Sequence, residues 1–189
     1  MTHGSGIRAL VPGDVVRVAA LVSVAVAPFM LGGVGVALFL LVLGGVMVPR
    51  ALGVPAMLDL GYCVALLVAA WAAQLGWYSA VPWLDLVMHA LCTGMIAVVA
   101  YIALVRWGVV PGAGAVRPDS ARSVVVVITG LGAVASILWE VGEWAGHTYL
   151  DGEISVGYGD TIGDLASALA GAAVAGVVLA AARADRPGA

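Results

Sequence analysis

The sequence predicts an all-α polytopic membrane protein with six transmembrane helices, and three observations support this prediction. The 189-residue chain is 63% hydrophobic and has a mean hydropathy of +1.11. Only 10% of its residues are charged, and none of them is lysine. Several apolar runs approach or exceed the ~20 residues that a helix needs to cross a bilayer. We therefore expect residues 1–189 to form a single helical domain within the membrane.

The positions of the arginines decide the number of spans. The apolar runs cover about residues 15–31, 34–49, 57–77, 82–106, 122–147 and 161–183. The first two runs could instead be one long helix, because only glycines separate them. With six spans and cytoplasmic N- and C-termini, however, all eight arginines lie on the inner side, as the positive-inside rule requires. Merging the first two spans would put Arg8 and Arg17 on the opposite side from the other six.

The connections between the spans carry further signals. Residues 107–121 are rich in glycine and proline, which predicts a cytoplasmic linker that divides the chain into four spans followed by two. Trp77, Tyr78 and Trp83 lie near the outer ends of spans three and four. Aromatic residues at these positions are typical of the lipid–water interface.

Small residues inside the spans predict packing rather than chemistry. Ala168, Ala172 and Gly176 recur at four-residue spacing, which allows two helices to approach closely. Cys63 and Cys92 both lie inside apolar runs, and we interpret them as small buried hydrophobic residues.

Seven ionisable residues interrupt the outer thirds of the last three spans. One acidic residue at mid-membrane costs roughly 2.5–3.5 kcal/mol, and several facing lipid would cost on the order of 5–10 kcal/mol, comparable with the stability of a small domain. These side chains must therefore face one another or a wet cavity. They are Asp85 and His89 in span four, Glu140, Glu143 and His147 in span five, and Asp160 and Asp164 in span six.

The five carboxylates of this group need a counter-charge, and the outer side has no arginine or lysine to supply one. A bound metal ion, protons shared between the carboxylates, or a cationic ligand would balance them. His89 and His147 favour the metal, because histidine with carboxylates suits Zn²⁺, Mn²⁺ or Fe²⁺ better than Mg²⁺ or Ca²⁺. We therefore predict a divalent metal ion held by some or all of the seven residues.

Several of these residues also have simpler explanations. Thr161 with Asp164 fits a variant of the helix capping box, and Asp160 precedes it at the same helix start. Asp85 follows Pro82 closely and favours a helix N-terminus. His147 can lie just beyond the membrane in water.

Three motifs together resemble a known family. They are "LDLVMH" with Asp85 and His89, "WEVGEW" with Glu140 and Glu143, and "GDTIGDLASALAGA" with Asp160 and Asp164. In this order, over about residues 57–180, they resemble the YjdF-type proteins of the bacterial inner membrane. The resemblance implies a multi-pass protein of the bacterial cytoplasmic membrane and supports the choice of site residues, but it implies no particular activity.

The motif order is also similar to that of the VanZ-like group, with clear departures. Leu86 stands where that group has lysine, Glu143 where it has glutamine, and Ala168 where it has asparagine. The arginine of the VanZ-like pattern is missing as well. We therefore do not expect the glycopeptide-resistance role that is associated with that group.

Three functions fit the sequence. The first is a metal-dependent hydrolase or transferase that acts at the outer leaflet on a lipid or lipid-linked substrate. His89, Glu140 and either Glu143 or Asp164 would hold the metal, and the remaining carboxylate would be the catalytic base. The predicted partners are the lipid bilayer and the lipid-linked substrate, with no nucleic acid.

The second function is a cation- or proton-coupled transporter, since carboxylates inside the membrane are typical of proton relays. Against it, Asp59 is the main polar group in the inner half of the spans, and no inverted repeat is visible. The third is an accessory membrane protein in which the metal site is purely structural.

The predicted topology can be tested by cysteine labelling in cells, in a background that lacks Cys63 and Cys92. We expect Ser79→Cys and Ser155→Cys to react with a membrane-impermeant thiol reagent, whereas Ser120→Cys should be protected. Labelling at residue 120 combined with protection at residue 155 would invert the topology.

Overall fold

The computed structural model describes residues 10–111 and 120–184, which form seven helices and contain no strand. Six of the helices are long and apolar enough to cross a membrane, which confirms the all-α prediction with six spans. The seven helices are α1 (Gly13–Met30), α2 (Gly32–Leu52), α3 (Ala56–Gln74), α4 (Trp77–Ala80), α5 (Pro82–Arg106), α6 (Ser120–Tyr149) and α7 (Tyr158–Ala184).

The start of α7 differs from the prediction in a way that affects the site. The helix begins at Tyr158, three residues before the predicted start, and the backbone N–H of Thr161 donates to the carbonyl of Gly157 at 2.9 Å. Thr161 and Asp164 therefore lie inside the helix, so the capping-box explanation for these two residues is wrong. Asp160 lies in the first turn of α7.

Other boundaries also differ. Helix α6 extends to Tyr149, so His147 lies in its last turn, where its side chain is exposed. Helix α3 ends at Gln74, and Tyr78 belongs to the short helix α4 that connects α3 to α5. Of the predicted linker 107–121, residues 112–119 lie outside the part of the chain that the structure describes.

The six long helices pack as two groups of three. Helices α1, α2 and α3 contact one another around a core that includes Phe39 and Val46, and helices α5, α6 and α7 share a second core around Ile128 and Ala172. Helix α3 also packs against α5 and joins the two groups. The linker divides the spans along the chain into four and two, but the packing divides them into three and three.

Glycine residues allow α5 and α7 to touch at the backbone. A Cβ atom added to Gly94 of α5 would lie 2.9 Å from the carbonyl oxygen of Gly171 of α7. A Cβ atom on Gly171 would collide with the backbone of Ala90. Ala168 and Ala172 of α7 have no exposed surface, which confirms the predicted packing role of the small residues in this helix. This close crossing brings the N-terminal part of α7 beside His89.

The two ends of the helix bundle differ in charge. The arginines of the described helices lie near one end, which we call the arginine end: Arg17, Arg50, Arg106, Arg122 and Arg183. The start of α5, the end of α6 and the start of α7 meet at the opposite end, which we call the acidic end. The separation is the one the sequence predicts. The orientation of the two ends in the membrane remains a prediction.

The close crossing of α5 and α7 predicts that a glycine-to-alanine change at Gly171 destabilises the protein, although this change usually stabilises a helix. Inside a helix this change normally stabilises by roughly 0.5–1 kcal/mol. We expect Gly171→Ala instead to lower the free energy of unfolding by about 1–3 kcal/mol, because the new methyl group overpacks against Ala90. Chemical unfolding of the detergent-purified protein would measure the change.

Gly130→Ala is the matched control, since a Cβ atom at Gly130 meets nothing within 4 Å. If both variants were as stable as the parent protein, α5 and α7 would not cross at Gly171.

Candidate carboxylate–histidine site

Five of the seven predicted site residues come together at the acidic end, where four carboxylates lie close to the imidazole of His89. Asp85, His89 and Asp164 each offer one ligand atom within 4.8 Å of the others, and so do His89, Glu140 and Glu143. Because His89 belongs to both groups, α5, α6 and α7 contribute side chains to one continuous cluster, which we call the carboxylate–histidine site.

Helical spacing explains how each pair of residues reaches this point. Asp85 and His89 are four residues apart on α5, and Glu140 and Glu143 are three apart on α6. Residues at these spacings lie on one face of a helix. Asp164 joins them because α7 crosses α5 so closely.

The distances around His89 are too long for hydrogen bonds. Its Nε2 atom lies 3.5 Å from Oδ1 of Asp85 and 3.8 Å from Oδ2 of Asp164. Two ligands that each lie ~2.0–2.2 Å from a tetrahedral metal ion are about 3.4 Å apart. The spacing around His89 is therefore close to that of ligands sharing one ion.

Glu140 has an unsatisfied polar atom. Its Oε1 atom is buried and has no hydrogen-bond partner, one of two such side-chain atoms among residues 10–111 and 120–184. A buried acceptor left without a partner costs roughly 1–3 kcal/mol, and more when the group is charged. A carboxylate kept in this position needs a partner, such as a metal ion or a donated proton.

No arginine of the described helices lies at the acidic end to balance the site. The arginines of the described chain lie at the other end of the bundle, and the sequence contains no lysine. Asp164 is almost completely buried, with 4% of its side chain exposed, so water screens its charge little. Four carboxylates therefore meet a single imidazole in apolar surroundings.

His147 and Asp160, the other two predicted ligands, are not brought into either group. Nδ1 of His147 lies 2.7 Å from the carbonyl oxygen of Ile154, and the side chain of Ile154 also packs on Gly146. Oδ2 of Asp160 lies 3.5 Å from the hydroxyl oxygen of Ser155. Both residues thus contact the loop between α6 and α7, which folds back over the end of α6.

An open groove of about 260 Å³ runs beside Glu140. Val141 and Trp144 of α6, Val156 of the following loop and Thr161 of α7 complete its lining. Val141 and Trp144 are half exposed on the outside of the bundle, where a membrane protein faces acyl chains. The site can therefore be approached through a mainly apolar groove.

Tyr78 packs close to the site, although the sequence indicated only an interfacial position for it. Its hydroxyl group donates to the carbonyl oxygen of Ala69 at 3.0 Å. Burial raises the pKa of Tyr78 above its usual value, and the negative charge of Asp85 raises it further. The phenol therefore stays neutral and ties α4 to α3.

A polar network at the arginine end was not predicted from the sequence. Asp59 is 2% exposed and pairs with the guanidinium group of Arg17, whose Nε atom also donates to the carbonyl oxygen of Val46 at 2.9 Å. Asp14 lies 2.9 Å from Arg17 and 3.5 Å from Arg50. The sequence does contain a signal for this network, because Asp14 and Arg17 are one helical turn apart and Asp59 is a lone charged residue in an apolar span.

These features define a polytopic helical membrane protein with a carboxylate–histidine cluster at one end of its bundle. A family model described as a predicted membrane protein (DUF2238) matches residues 14–185, and the chain therefore belongs to the DUF2238 family of predicted membrane proteins. The match confirms the resemblance to the YjdF-type proteins and extends it to α1 and α2. No curated protein and no solved structure matches the chain.

Proposed function

We propose that this protein is a metal-dependent hydrolase or transferase that acts within the bacterial cytoplasmic membrane on a lipid or lipid-linked substrate. The observation that carries the proposal is the convergence of four carboxylates on His89 at an end where the described helices place no arginine. The predicted orientation puts this end at the outer leaflet.

His89, Glu140 and Glu143 are the residues that would hold the metal ion. They form one of the two compact groups, and an ion there would satisfy the buried Oε1 atom of Glu140. A set of one histidine and two carboxylates suits Zn²⁺, Mn²⁺ or Fe²⁺, with an open position for substrate.

Asp164 is the best candidate for the general base. Its carboxylate belongs to the other group, beside His89 but not beside Glu140, so it remains available when the first group holds the ion. When bound, the ion would polarise the substrate and make the attacking water or alcohol more acidic. Asp164 would accept the proton of that group, and Asp85, whose Oδ1 atom lies 3.5 Å from Nε2 of His89, would orient the imidazole. The attacking oxygen would form a bond to the acyl or phosphoryl group of the substrate while the bond from that group to its leaving oxygen breaks, and the leaving group would take up the proton from Asp164. Water as the attacking group would make the protein a hydrolase, and an alcohol would make it a transferase.

The groove beside Glu140 supports a lipid substrate. An acyl or polyprenyl chain can lie against Val141 and Trp144 while the polar part of the molecule reaches the carboxylates. Because the described acidic end has no arginine, a phosphate group on the substrate would be held through the metal ion.

The buried ion pair at the arginine end favours an enzyme over a carrier. A transport path would need a polar group that exchanges ions in the inner half, and Asp59 was the candidate from the sequence. Its carboxylate is buried and paired with Arg17, so releasing it would leave a carboxylate without a partner in the core.

Metal content provides the first test. We expect the purified protein to retain about one divalent ion per chain, and His89→Ala or Glu140→Ala to remove it, because both residues contact the same ion. The double variant should be little worse than either single variant, since residues that act on one ion are not additive. Elemental analysis combined with thermal unfolding would measure both effects.

His147→Ala and Asp151→Asn are the controls and should keep the metal. Full metal occupancy in both His89→Ala and Glu140→Ala would exclude the proposed ligands. A metal-free parent protein that Glu140→Gln stabilises would instead support shared protons and a transport function.

Turnover provides the second test. Metal-loaded protein in nanodiscs that contain radiolabelled bacterial lipids should release a water-soluble product or form a new lipid. Asp164→Asn should slow this reaction by about 10²–10⁴-fold while keeping the metal, as expected for loss of a general base. Trp144→Ala should mainly raise KM, because the groove would bind the acyl or polyprenyl chain of the substrate less well.

Asp151→Asn serves as the control for activity as well. A protein that binds metal stoichiometrically but converts no lipid would favour a structural metal site in an accessory protein.

A further inference from the structure

A cavity of about 380 Å³ opens at the arginine end, between the end of α2, the start of α3 and the end of α5. Arg50, Arg106 and Asp59 contribute its charged lining, and Gly53 and Ala56 contribute backbone. We infer that this cavity binds a phosphate group, such as the headgroup of an anionic lipid. The inference is independent of the carboxylate–histidine site and goes beyond the proposed function.

One of the two arginines that line the cavity, Arg106, has no counter-charge among the described residues. Asp59 is neutralised by its ion pair with Arg17, and Asp14 lies between Arg17 and Arg50. Arg106 makes no ion pair within the described parts of the chain. Arg106 therefore adds a positive charge to the cavity that no carboxylate of the described residues neutralises, and an anion could balance it.

Arg106, the last residue of α5, lies beside the loop between α2 and α3 at the cavity. Gly53 ends α2 with φ +58°, and a Cβ atom there would lie 3.6 Å from Nη2 and 3.8 Å from Nη1 of Arg106. The guanidinium group therefore lies against the loop. Its fork of N–H groups matches two oxygens of a phosphate.

The N-terminus of α3 adds backbone donors to the same cavity. Pro55 precedes the helix, and no side chain caps it. The first N–H groups of a helix have no partner within the helix and bind anions readily. Ala56, the first residue of α3, lines the cavity and is exposed. An anion seated there would meet the helix N-terminus on one side and Arg106 on another.

The cavity lies where the helices end, which is the level of phosphate groups in a bilayer. A lipid headgroup and a free phosphate ion share the required chemistry, so the experiment must distinguish them. Phosphatidylglycerol and inorganic phosphate are the two probes. Each is added to the full-length protein in neutral phosphatidylcholine nanodiscs, and thermal unfolding and the amount of lipid retained after detergent extraction are measured.

We expect phosphatidylglycerol to raise the unfolding temperature and to be retained in preference to phosphatidylcholine. Arg106→Gln should weaken this binding about tenfold, the effect of losing one charge-assisted contact. The matched control is Arg122→Gln, which removes another exposed arginine at the same end that does not line the cavity, and it should bind like the parent protein.

Ala56→Glu is a second variant that should fold, because the residue is exposed and an acidic residue is favourable in the first turn of a helix. It should abolish binding of the probe by placing a negative charge in the cavity. In phosphatidylcholine alone, Arg106→Gln and Ala56→Glu should have the same unfolding temperature as the parent protein.

Protection by phosphatidylglycerol but not by inorganic phosphate would identify a lipid headgroup site. Protection by both, with the same loss in Arg106→Gln, would identify a general phosphate site and also support the inference. Equal losses in Arg106→Gln and Arg122→Gln would overturn it, because surface charge alone would then explain the binding. Protection by neither probe would overturn it as well.

Discussion

The cost of an unpartnered charge in hydrocarbon controls the arrangement of this protein at both ends. At the arginine end the buried charges are balanced within the protein, because Arg17 pairs with Asp59 and Asp14 connects it to Arg50, whereas the exposed Arg106 has no ion pair in the described chain. At the acidic end no arginine is present in the described structure. Four carboxylates meet at His89 there, and keeping them inside the membrane requires that they share protons or a cation.

That shared point depends on the close crossing of α5 and α7. Gly94 and Gly171 let the two backbones touch, and Asp164 lies two helical turns before Gly171 on α7. With larger residues at the crossing, α7 would lie farther from α5 and Asp164 could not approach His89. Packing and chemistry are thus coupled, since the apolar core of the second helix group fixes the geometry of its polar site.

Hydropathy and residue positions along single helices were sufficient to predict much of the fold and of the site. The six spans, the charge separation between the ends, and His89 with the four carboxylates around it were all predicted in this way. Features that arise between segments distant in the chain could not be predicted in this way. His147 shares a face of α6 with Glu140, yet the loop carrying Ile154 folds back and contacts its ring. The pairing of Arg17 with Asp59, 42 residues apart, likewise depends on how α1 packs on α3.

The unequal charge of the two ends also constrains how each can recognise a phosphate-bearing lipid. At the arginine end, guanidinium groups and the N-terminus of α3 would attract an anion directly. At the acidic end, Glu140 and its neighbouring carboxylates repel an anion unless a metal ion reverses the local charge. An ion in the carboxylate–histidine site would therefore be needed both to bind an anionic substrate and to activate it. Substrate binding and catalysis would then be lost together when the ion is removed, whereas a neutral lipid could still enter the apolar groove.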